Sequence, residues 1–456
     1  MRLDVDHVYP PVLGVITRRI LEPALGAPYL TTARWLREFD RWPDQRRREW
    51  QEQRRTDIVR HALSSVPFYR ERFPGHTALE LSQLPVVDKA LIRPAMPMFL
   101  SEGWETMRSI EKRTGGTTGD PWRYPLGKEG WTQIYAAALR FREDLGYRYG
   151  DRMILVGTPL SLTPGGTSWK TALRYRLERR VSAAAGLEVD HEASLQRARL
   201  AESARAALWY GYAGTLAAMA AAVLREGISV RPPKAILSTS EVLLPEWRSQ
   251  IEEAFGVRVA DEYGCNDGGV LAQSCPANRF HVADSLSIVE VLDEHDQPCP
   301  AGREGAVTVT NLHTKVLPFL RYRVGDRAVI GADHCPCGRP GTTLLRIAGR
   351  QGDRVVLPDG RQLSALAFGA VFKRCPNVRL WQVVQEAPGR LKVRMELDAP
   401  LTQEETQTLR SYFRDRCGEQ VTVSLTVAES IPRTPAGKHR VVLRLDELGS
   451  ASGQGK

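Results

Sequence analysis

Short apolar segments alternate with longer helical segments through the middle of the chain. A helical pattern at 131–145 comes before the apolar run at 153–156, and an Ala-rich helical segment comes before the run at 235–238. A further helical pattern at 245–255 comes before an apolar run at 258–260. Parallel strands need long crossover connections, usually helices of about a dozen residues or more. The alternation therefore predicts an α/β fold that contains a parallel sheet.

The regions on either side of this part have other patterns. Residues 30–65 place apolar side chains at helical spacing among many charges, and they belong to a helical lead-in over about 1–105. Between 280 and 350, short β-rich runs alternate with glycine turns, which predicts a β-barrel-like subdomain. We therefore predict one large N-terminal domain over residues 1–350.

The pattern changes again after residue 350, where we place a second domain. Residues 355–360, VVLPDG, are typical of a hairpin, and helix and strand then mix as far as residue 446. This mixture predicts a small α+β domain over 351–446. The Gly- and Ser-rich residues 447–456 predict a disordered tail.

The charge and hydropathy of the chain limit the classes of partner that we predict for it and its predicted location in the cell. The formal net charge of +10 favours anionic ligands, but the arginines are scattered without a basic–aromatic stripe, so nucleic-acid binding is not predicted. The first residues carry acids where a signal peptide needs apolar side chains. The charge-free stretch 206–224 is mostly Ala and Gly, and it is better interpreted as a buried strand, a turn at 211–214 and a packed helix. We therefore expect a cytoplasmic protein without a membrane span.

A tight loop at 113–121, RTGGTTGDP, has the residue types of an anion-binding segment. Its glycines allow left-handed or close-approach backbone conformations, and its threonine hydroxyls lie beside the exposed N–H groups. The six residues concerned are Thr114, Gly115, Gly116, Thr117, Thr118 and Gly119. No Gly-Lys-Ser/Thr sequence follows, which excludes a P-loop NTPase. The loop alone leaves two interpretations open, an ordinary loop and a phosphate-binding loop.

The cysteines favour a metal site over disulfides. There are seven, an odd number, in a long chain without a signal sequence. Two short clusters bring soft ligands together, and they are Cys275 with His281 and Cys335 with Cys337. Cys265 and His334 are rival donors. Such a set suits tetrahedral zinc, and free thiols with a surface histidine are the alternative.

Five segments in a fixed order carry a family resemblance. They are RTGGTTGDP at 113–121, STSE at 238–241, DEYGCND at 261–267, RYRVGDR at 321–327 with IAGRQGD at 347–353, and IPRTPAGK at 431–438. Together they resemble the acyl-adenylate-forming superfamily of acyl-CoA synthetases, luciferases and peptide-synthetase adenylation domains. SVPFYRERF at 65–73, LPVVDKALIR at 84–93 and PRTPAGKHR at 432–440 are similar to its phenylacetate–CoA ligase and CapK-like branch. The resemblance covers about residues 30–445.

The resemblance implies an ATP-dependent activation of a carboxylic acid. The carboxylate attacks the α-phosphorus of ATP, pyrophosphate leaves, and the acyl-adenylate passes its acyl group to a thiol, that of coenzyme A in this branch. An aryl or arylacetic acid is the implied substrate. Because negative charge builds on the phosphoryl oxygens, such a site acts mainly by positioning and electrostatic stabilisation.

The same resemblance assigns roles around the nucleotide. The Gly/Thr loop, with Thr117 among the catalytic residues, would contact the departing β- and γ-phosphates. Tyr263 would stack on adenine, with Glu241 and Glu262 lining that pocket. Asp326 would accept hydrogen bonds from both ribose hydroxyls, a task suited to a carboxylate.

Further roles fall to charged residues near the reacting groups. Lys438, on a glycine-containing turn, would reach the reacting carboxylate and the α-phosphate together. Asp267 would hold Mg²⁺, at a position where the family usually has glutamate. Arg350 would support the ribose or phosphate side. Asp353 matches the family's hinge, about which the small C-terminal domain is expected to move after adenylation.

A substrate pocket and a metal site are also implied. The pocket residues would be Tyr135, Phe141, Tyr212, Gly214 and Ser238. For the first two, simple core packing is the open alternative. Members of this branch can have a Cys–His–Cys–Cys set in corresponding segments, similar to Cys275, His281, Cys335 and Cys337, and its implied role is a structural zinc site.

Other activities remain open. The acyl acceptor could be a carrier-protein thiol, or an amine or alcohol as in capsule or natural-product assembly. Because Asp267 replaces the usual glutamate, a non-catalytic nucleotide-binding relative is a further candidate. The Arg-rich surface suits coenzyme A and an acidic carrier protein equally, and a homodimer is one option for the oligomeric state.

Overall fold

The chain folds into two compact units. This computed structural model describes residues 5–113, 122–156, 176–182, 191–265, 267–269, 271–332, 334–350, 353–375, 377–434 and 438–444. The described residues of the first unit fall within 5–113, 122–151 and 261–347, and those of the second within 152–260 and 348–444. The predicted domain boundary after residue 350 stays a prediction, and the predicted tail at 447–456 lies outside the described residues.

The helices include those at the predicted helical patterns, together with others that the sequence analysis did not predict individually. They are α1 (Val5–Ile16), α2 (Glu22–Leu25), α3 (Tyr29–Phe39), α4 (Asp44–Ser65), α5 (Pro67–Arg72), α6 (Lys89–Ile92), α7 (Met96–Phe99), α8 (Lys128–Asp144), α9 (His191–Ser203), α10 (Ala213–Glu226), α11 (Pro245–Phe255) and α12 (Gln403–Cys417). A π-helical turn, Thr17–Leu21, follows α1, and 3-10 turns lie at Leu81–Gln83, Trp104–Thr106, Ala365–Ala367 and Gly369–Arg374. None of the helices in the described part of the chain has the length and apolar character needed to cross a bilayer.

The strands follow the predicted apolar runs. They are β1 (Val87–Asp88), β2 (Ser109–Arg113), β3 (Arg123–Gly127), β4 (Met153–Val156), β5 (Arg180–Ser182), β6 (Leu208–Tyr212), β7 (Ala235–Thr239), β8 (Val259–Gly264), β9 (Leu271–Ser274), β10 (Phe280–Val282), β11 (Ser287–Leu292), β12 (Glu304–Asn311), β13 (Tyr322–Ile330), β14 (Thr343–Arg350), β15 (Arg354–Val356), β16 (Gln362–Ser364), β17 (Val378–Ala387), β18 (Arg390–Leu397), β19 (Thr422–Val427) and β20 (Val442–Arg444). The mixture of helices and parallel and antiparallel strands confirms the predicted α/β class.

The first unit is built on antiparallel strands. Strand β12 pairs with β11 and β13, β10 pairs with β14 and β9, and β9 pairs with β8, all antiparallel. The strands predicted between 280 and 350 are therefore present, in the linear order β11–β12–β13–β14–β10–β9–β8. Trp122, Tyr124, Phe319 and Tyr322 belong to the apolar core beneath them. This core fixes the position of β13, which carries part of the candidate site.

The second unit contains the predicted parallel sheet. Its strands follow the order β5–β4–β6–β7, and each neighbouring pair is parallel. A Cβ atom at Gly211 would lie 2.5 Å from the carbonyl oxygen of Val156 in the adjacent strand β4. The predicted turn at 211–214 is therefore wrong, because Gly211 lies in β6, where close approach of two strands requires glycine, and α10 already begins at Ala213.

The chain beyond residue 350 forms a hairpin and a four-stranded sheet. Strands β15 and β16 pair antiparallel, which confirms the predicted hairpin. The sheet has the order β19–β18–β17–β20, and α12 begins with a capping box between Thr402 and Glu405. From α12, Phe413 stacks on Phe368 with ring centroids 5.3 Å apart. Buried aromatic packing therefore stabilises this part of the second unit.

Replacing Phe413 with alanine is expected to lower the free energy of unfolding by about 3–5 kcal/mol, because the side chain is fully buried and its removal leaves a cavity. Urea denaturation measures the change. Val427→Ala is the control, since Val427 is 63% exposed and its loss should change stability by about 0.5 kcal/mol or less. Equal effects of the two substitutions would contradict the packing described above.

Candidate functional site

The Gly/Thr loop lies outside the part of the chain that the structure describes. Its predicted phosphate-binding residues are Thr114, Gly115, Gly116, Thr117, Thr118 and Gly119. Strands β2 and β3 on either side of it pair antiparallel, with Arg113 opposite Arg123. The phosphate-binding role of the loop stays a prediction.

Two residues predicted to bind the nucleotide are in contact within the first unit. The hydroxyl of Tyr263, in β8, donates a hydrogen bond to Oδ2 of Asp326, in β13, over 2.9 Å. Both residues are buried. An ionised carboxylate has about four acceptor sites, so this bond leaves Asp326 able to accept others. Tyr263 and Asp326 can therefore serve one ligand together.

The side chain of Glu262 projects from the face of β8 opposite to that of Tyr263. Successive side chains of a strand alternate between faces. Glu262 lies in register with Gln273, and Gln273 lies in register with His281, which places the three side chains on one face. The Gln273 amide donates to the carbonyl oxygen of Phe141 over 3.1 Å, so α8 covers this face. The strand geometry therefore separates Glu262 from Tyr263, although both were predicted to line the adenine pocket.

The predicted magnesium ligand is held by a hydrogen-bond donor on each of its oxygens. The hydroxyl of Tyr322 donates to Oδ2 of Asp267 over 2.7 Å, and the thiol of Cys265 donates to Oδ1 over 3.2 Å. Asp267 is buried. Its two oxygens keep unused acceptor sites, so the carboxylate suits one of the few protein ligands that Mg²⁺ needs.

The two aromatic residues of α8 have the contacts of core residues. Tyr135 packs edge to face against Tyr29, with ring centroids 5.1 Å apart, and lies near Trp131. Phe141 belongs to the same buried apolar cluster as Tyr135, and it also lines a small cavity together with Arg47 and other charged side chains. The contacts favour core packing, the alternative left open for these two residues.

In the second unit, Glu241 joins two chain segments. It follows β7 and Ser240, whose φ of +68° is uncommon for a residue other than glycine. Its Oε2 accepts from the Gly214 backbone N–H over 2.8 Å, and its Oε1 accepts from the His439 N–H over 2.7 Å. Burial raises the pKa of Glu241, while Gly214, Arg433, His439 and Lys438 act in the opposite direction. The carboxylate therefore brings the Lys438 segment to the start of α10.

The predicted pocket residues of this unit gather at the carboxyl ends of β6 and β7. Tyr212 ends β6 opposite Thr239, and Ser238 lies opposite Gly211. Burial, followed by the charge of Glu241, raises the pKa of Tyr212. Ligands of open α/β sheets bind at such strand ends. Because register partners share a face and successive residues alternate between faces, the side chains of Tyr212 and Ser238 project to opposite faces of the sheet, and only their strand ends come together.

The predicted hinge residue, Asp353, is paired with the end of the Lys438 segment. Nε of Arg440 donates to Oδ1 of Asp353 over 3.0 Å, and a second guanidinium nitrogen donates to the same oxygen. The Lys438 backbone N–H donates to Oγ1 of Thr434 over 3.1 Å. Arg350 ends β14, and its predicted role remains a prediction.

The four predicted metal ligands come together in the first unit. The ligand atoms of Cys275, His281, Cys335 and Cys337 all lie within 4.8 Å of one another. The Cys275 and Cys335 sulfurs are 3.6 Å apart, and the Cys337 sulfur is 3.3 Å from Nε2 of His281. Burial lowers the pKa of His281 to about 4, so its imidazole is neutral at pH 7. Of the described residues, neither Cys265 nor His334 belongs to this cluster.

Comparisons with known proteins agree with this architecture. Residues 355–445 match the family model of the CapK C-terminal domain. The phenylacetate-coenzyme A ligase of Thermus thermophilus is 25% identical over 448 residues, covering 90% of this chain and 98% of that protein. Protein CapK of Staphylococcus aureus is 21% identical, covering 87% and 88%. The crystal structure of 2-hydroxyisobutyryl-CoA ligase with R3-HIB-AMP has a TM-score of 0.69 at 21% identity, covering 90% and 92%.

The chain is a relative of the phenylacetate–coenzyme A ligases and of CapK. Its fold is that of the adenylate-forming enzymes, and the resemblance predicted from the five segments is confirmed. The roles of individual residues in this chain stay predictions.

The sequence analysis did not predict that Tyr322 contacts Asp267 or that Arg440 contacts Asp353. A signal for Tyr322 was present, because Tyr322, Val324 and Asp326 alternate along β13 and share its buried face. Nothing in the sequence marks Arg440 as the partner of Asp353, since the two are far apart along the chain and only the tertiary fold joins them.

The buried His439 predicts a pH dependence of stability. Burial, followed by the charge of Arg433, lowers the pKa of His439 to about 3, and its Nε2 lies 2.8 Å from the Trp381 carbonyl oxygen. An unfolded imidazole titrates near pH ~6.5. The contribution to stability is therefore fully present above that pH and is lost as pH falls towards 3, by up to ~1.4 kcal/mol per pH unit.

Urea denaturation at pH values from 7 to about 4 measures this dependence. His439→Gln does not titrate, so its stability should fall less steeply than that of the wild type. His295→Gln, at an exposed position, should keep the wild-type slope. Identical slopes for His439→Gln and the wild type would contradict a neutral, buried His439.

Proposed function

We propose that this protein joins a carboxylic acid to AMP and then transfers the acyl group to coenzyme A. In the first step, a carboxylate oxygen bonds to the α-phosphorus of ATP, and the bond from that phosphorus to the bridging oxygen of pyrophosphate breaks. In the second step, the deprotonated sulfur of coenzyme A attacks the acyl carbon and AMP leaves. Similarity to phenylacetate-coenzyme A ligases over most of the chain supports this reaction.

The observation that carries the proposal is the position of the Lys438 segment. The hydrogen bond from the His439 N–H to Glu241 brings the segment to the start of α10, beside the carboxyl ends of β6 and β7. Lys438 is close enough to Glu241 to counteract the rise in its pKa. An ammonium group here would neutralise charge on a carboxylate and phosphate that react at these strand ends.

The first unit would contribute the groups that hold the nucleotide and its metal ion. Tyr263 and Asp326 would contact the adenine and the ribose, and their hydrogen bond supports a shared ligand. Asp267 would hold Mg²⁺, because it is a buried carboxylate with unused acceptor sites. Bound Mg²⁺ would neutralise charge on the phosphates. Thr117 and the rest of the Gly/Thr loop would contact the departing phosphates.

The acid is proposed to be an aryl or arylacetic acid. The named relative in Thermus thermophilus and the aromatic ring of Tyr212 at the strand ends support it. Tyr135 and Phe141 belong to a buried apolar cluster, so they are not proposed as pocket residues. Transfer to a carrier-protein thiol, an amine or an alcohol is the second candidate. A cytoplasmic location and a homodimer stay predictions.

Lys438→Ala is expected to slow the acid-dependent exchange of labelled pyrophosphate into ATP by on the order of a hundredfold or more, because charge on the reacting groups is no longer neutralised. A panel of aryl, arylacetic and short aliphatic acids identifies the substrate in the same assay. Lys392→Ala is the matched control, since Lys392 pairs with Glu386 on the β17–β18 hairpin. Full exchange by Lys438→Ala would refute the proposed role.

A second substitution separates the two half-reactions. Asp353→Pro restricts the hinge, so it should spare the exchange while slowing thioester formation with coenzyme A. No exchange by the wild type with any acid of the panel would instead favour a non-catalytic nucleotide-binding relative. An amide or ester product, in place of a thioester, would identify the second candidate.

We also propose that Cys275, His281, Cys335 and Cys337 hold a structural zinc ion. Three thiols and a neutral imidazole, clustered within 4.8 Å, suit tetrahedral coordination without an open position. Protein purified without added zinc should contain about one zinc per chain, and Cys335→Ser should lose zinc and melt at a lower temperature. Cys299→Ser, a buried cysteine outside the cluster, should keep its zinc. A metal-free wild type would contradict the proposal.

A further inference from the structure

The apolar core of the first unit holds the side chain of Tyr322 in place. It is the first residue of β13, its side chain is fully buried, and its ring packs against Phe319 with centroids 4.9 Å apart. A short hydrogen bond of 2.7 Å then joins its hydroxyl to Oδ2 of Asp267. The ring therefore holds the hydroxyl at a defined point beneath the carboxylate.

The turn that carries Asp267 is fitted to this ring. Gly268 has a φ of +82°, and a Cβ atom there would lie 3.1 Å from Cδ1 of Tyr322. The carbonyl oxygen of Gly268 also accepts from Nδ2 of Asn311, in β12, over 3.0 Å. Two neighbouring strands thus contact the turn, one through Tyr322 and one through Asn311. The backbone on which Asp267 stands is fixed as well as its side chain.

The donors on Asp267 differ in strength. A phenol is a good hydrogen-bond donor, whereas the thiol of Cys265 on the other oxygen is a weak one. Removing the Tyr322 hydroxyl would leave this buried carboxylate with only the weak thiol donor among the residues that the structure describes. Such a side chain would be free to rotate about its bond to Cβ, and both oxygens would lose their fixed directions.

We propose that Tyr322 is a positioning residue, whose hydroxyl holds the carboxylate of Asp267 in the orientation that binds the divalent cation of a metal–ATP complex. The inference rests on the proposed function, because it assigns the cation to Asp267. It adds that the aspartate binds the metal productively only while Tyr322 holds it. The same strand then serves the nucleotide twice, through Tyr322 and through Asp326 on the same face.

The test measures metal binding apart from activity. Tyr322→Phe keeps the buried ring and removes only the hydroxyl. The probe is Mn²⁺ with a non-hydrolysable ATP analogue, and the loss of the free Mn²⁺ signal in electron paramagnetic resonance measures binding. We expect roughly tenfold weaker Mn²⁺ binding for Tyr322→Phe, the typical effect of losing one hydrogen bond to a charged group. In pyrophosphate exchange, the half-saturating Mg²⁺ concentration should rise similarly while the KM for the acid stays unchanged.

Tyr69→Phe is the matched control. Tyr69 is a buried tyrosine of the same unit, and its hydroxyl has no hydrogen-bond partner among the described residues. It should bind Mn²⁺ as the wild type does. Asp267→Asn should bind still more weakly than Tyr322→Phe, and adding Tyr322→Phe to it should cause no further loss, because the two residues act as one unit.

The measured Mn²⁺ affinities distinguish the inference about Tyr322 from the proposed metal site at Asp267. Wild-type Mn²⁺ affinity and Mg²⁺ dependence in a folded Tyr322→Phe would overturn the inference while leaving the proposed function intact. If Asp267→Asn also binds Mn²⁺ like the wild type, the metal site itself is wrong. If Tyr322→Phe does not fold, Gly268→Ala replaces it, since its new methyl group would push the turn away from the ring and should weaken Mn²⁺ binding in the same way.

Discussion

Burying a carboxylate costs free energy unless hydrogen-bond donors reach its oxygens. This constraint acts within each of the two units. Asp326 receives the hydroxyl of Tyr263, Asp267 receives that of Tyr322, and Glu241 receives two backbone N–H groups. Each of these donors lies far from its acceptor along the chain, so satisfying the acid also joins distant segments of the same unit.

The first unit satisfies two of these acids with a reciprocal pair of contacts. Strand β8 sends a tyrosine to the aspartate of β13, and β13 sends a tyrosine to the aspartate of the turn after β8. Both contacts join β13 to β8 or to the turn after it. Forming either contact therefore brings the two residues of the other contact close together. In the second unit, the carboxylate of Glu241 accepts hydrogen bonds from two backbone N–H groups. One of these groups belongs to His439, so Glu241 also holds the segment that carries Lys438.

The sequence was most informative where local pattern sets the structure. The alternation of apolar runs and helices predicted the strands β4 and β7, because periodicity reflects which face each element buries. The charge-free stretch 206–224 separately predicted the buried strand that is β6. Gly211 was misassigned to a turn, since a glycine required by a close strand contact has the same sequence signature as a turn glycine.

Side-chain environments were predicted less well. Tyr135 and Phe141 could not be distinguished from pocket residues, because an aromatic ring on a helix serves a core and a ligand equally well. The spacing of the cysteines likewise left Cys265 and His334 as rivals, and only the tertiary approach of residues 335–337 to β9 and β10 excludes them from the cluster. The family resemblance implied that Glu262 lines the adenine pocket beside Tyr263, although adjacent residues of a strand point to opposite faces.

The Cys–His cluster has a consequence for the sheet that carries Tyr263. Cys275 follows β9 directly and His281 lies within β10, so the cluster joins two strands of a hairpin at neighbouring positions. Strand β9 pairs in turn with β8. A slip of one residue along β9 would invert every side chain of the slipped strand. A zinc ion held by this cluster, as proposed, would therefore fix the register of β9, and through the ladder of backbone hydrogen bonds it would keep the phenol of Tyr263 on the face where Asp326 lies.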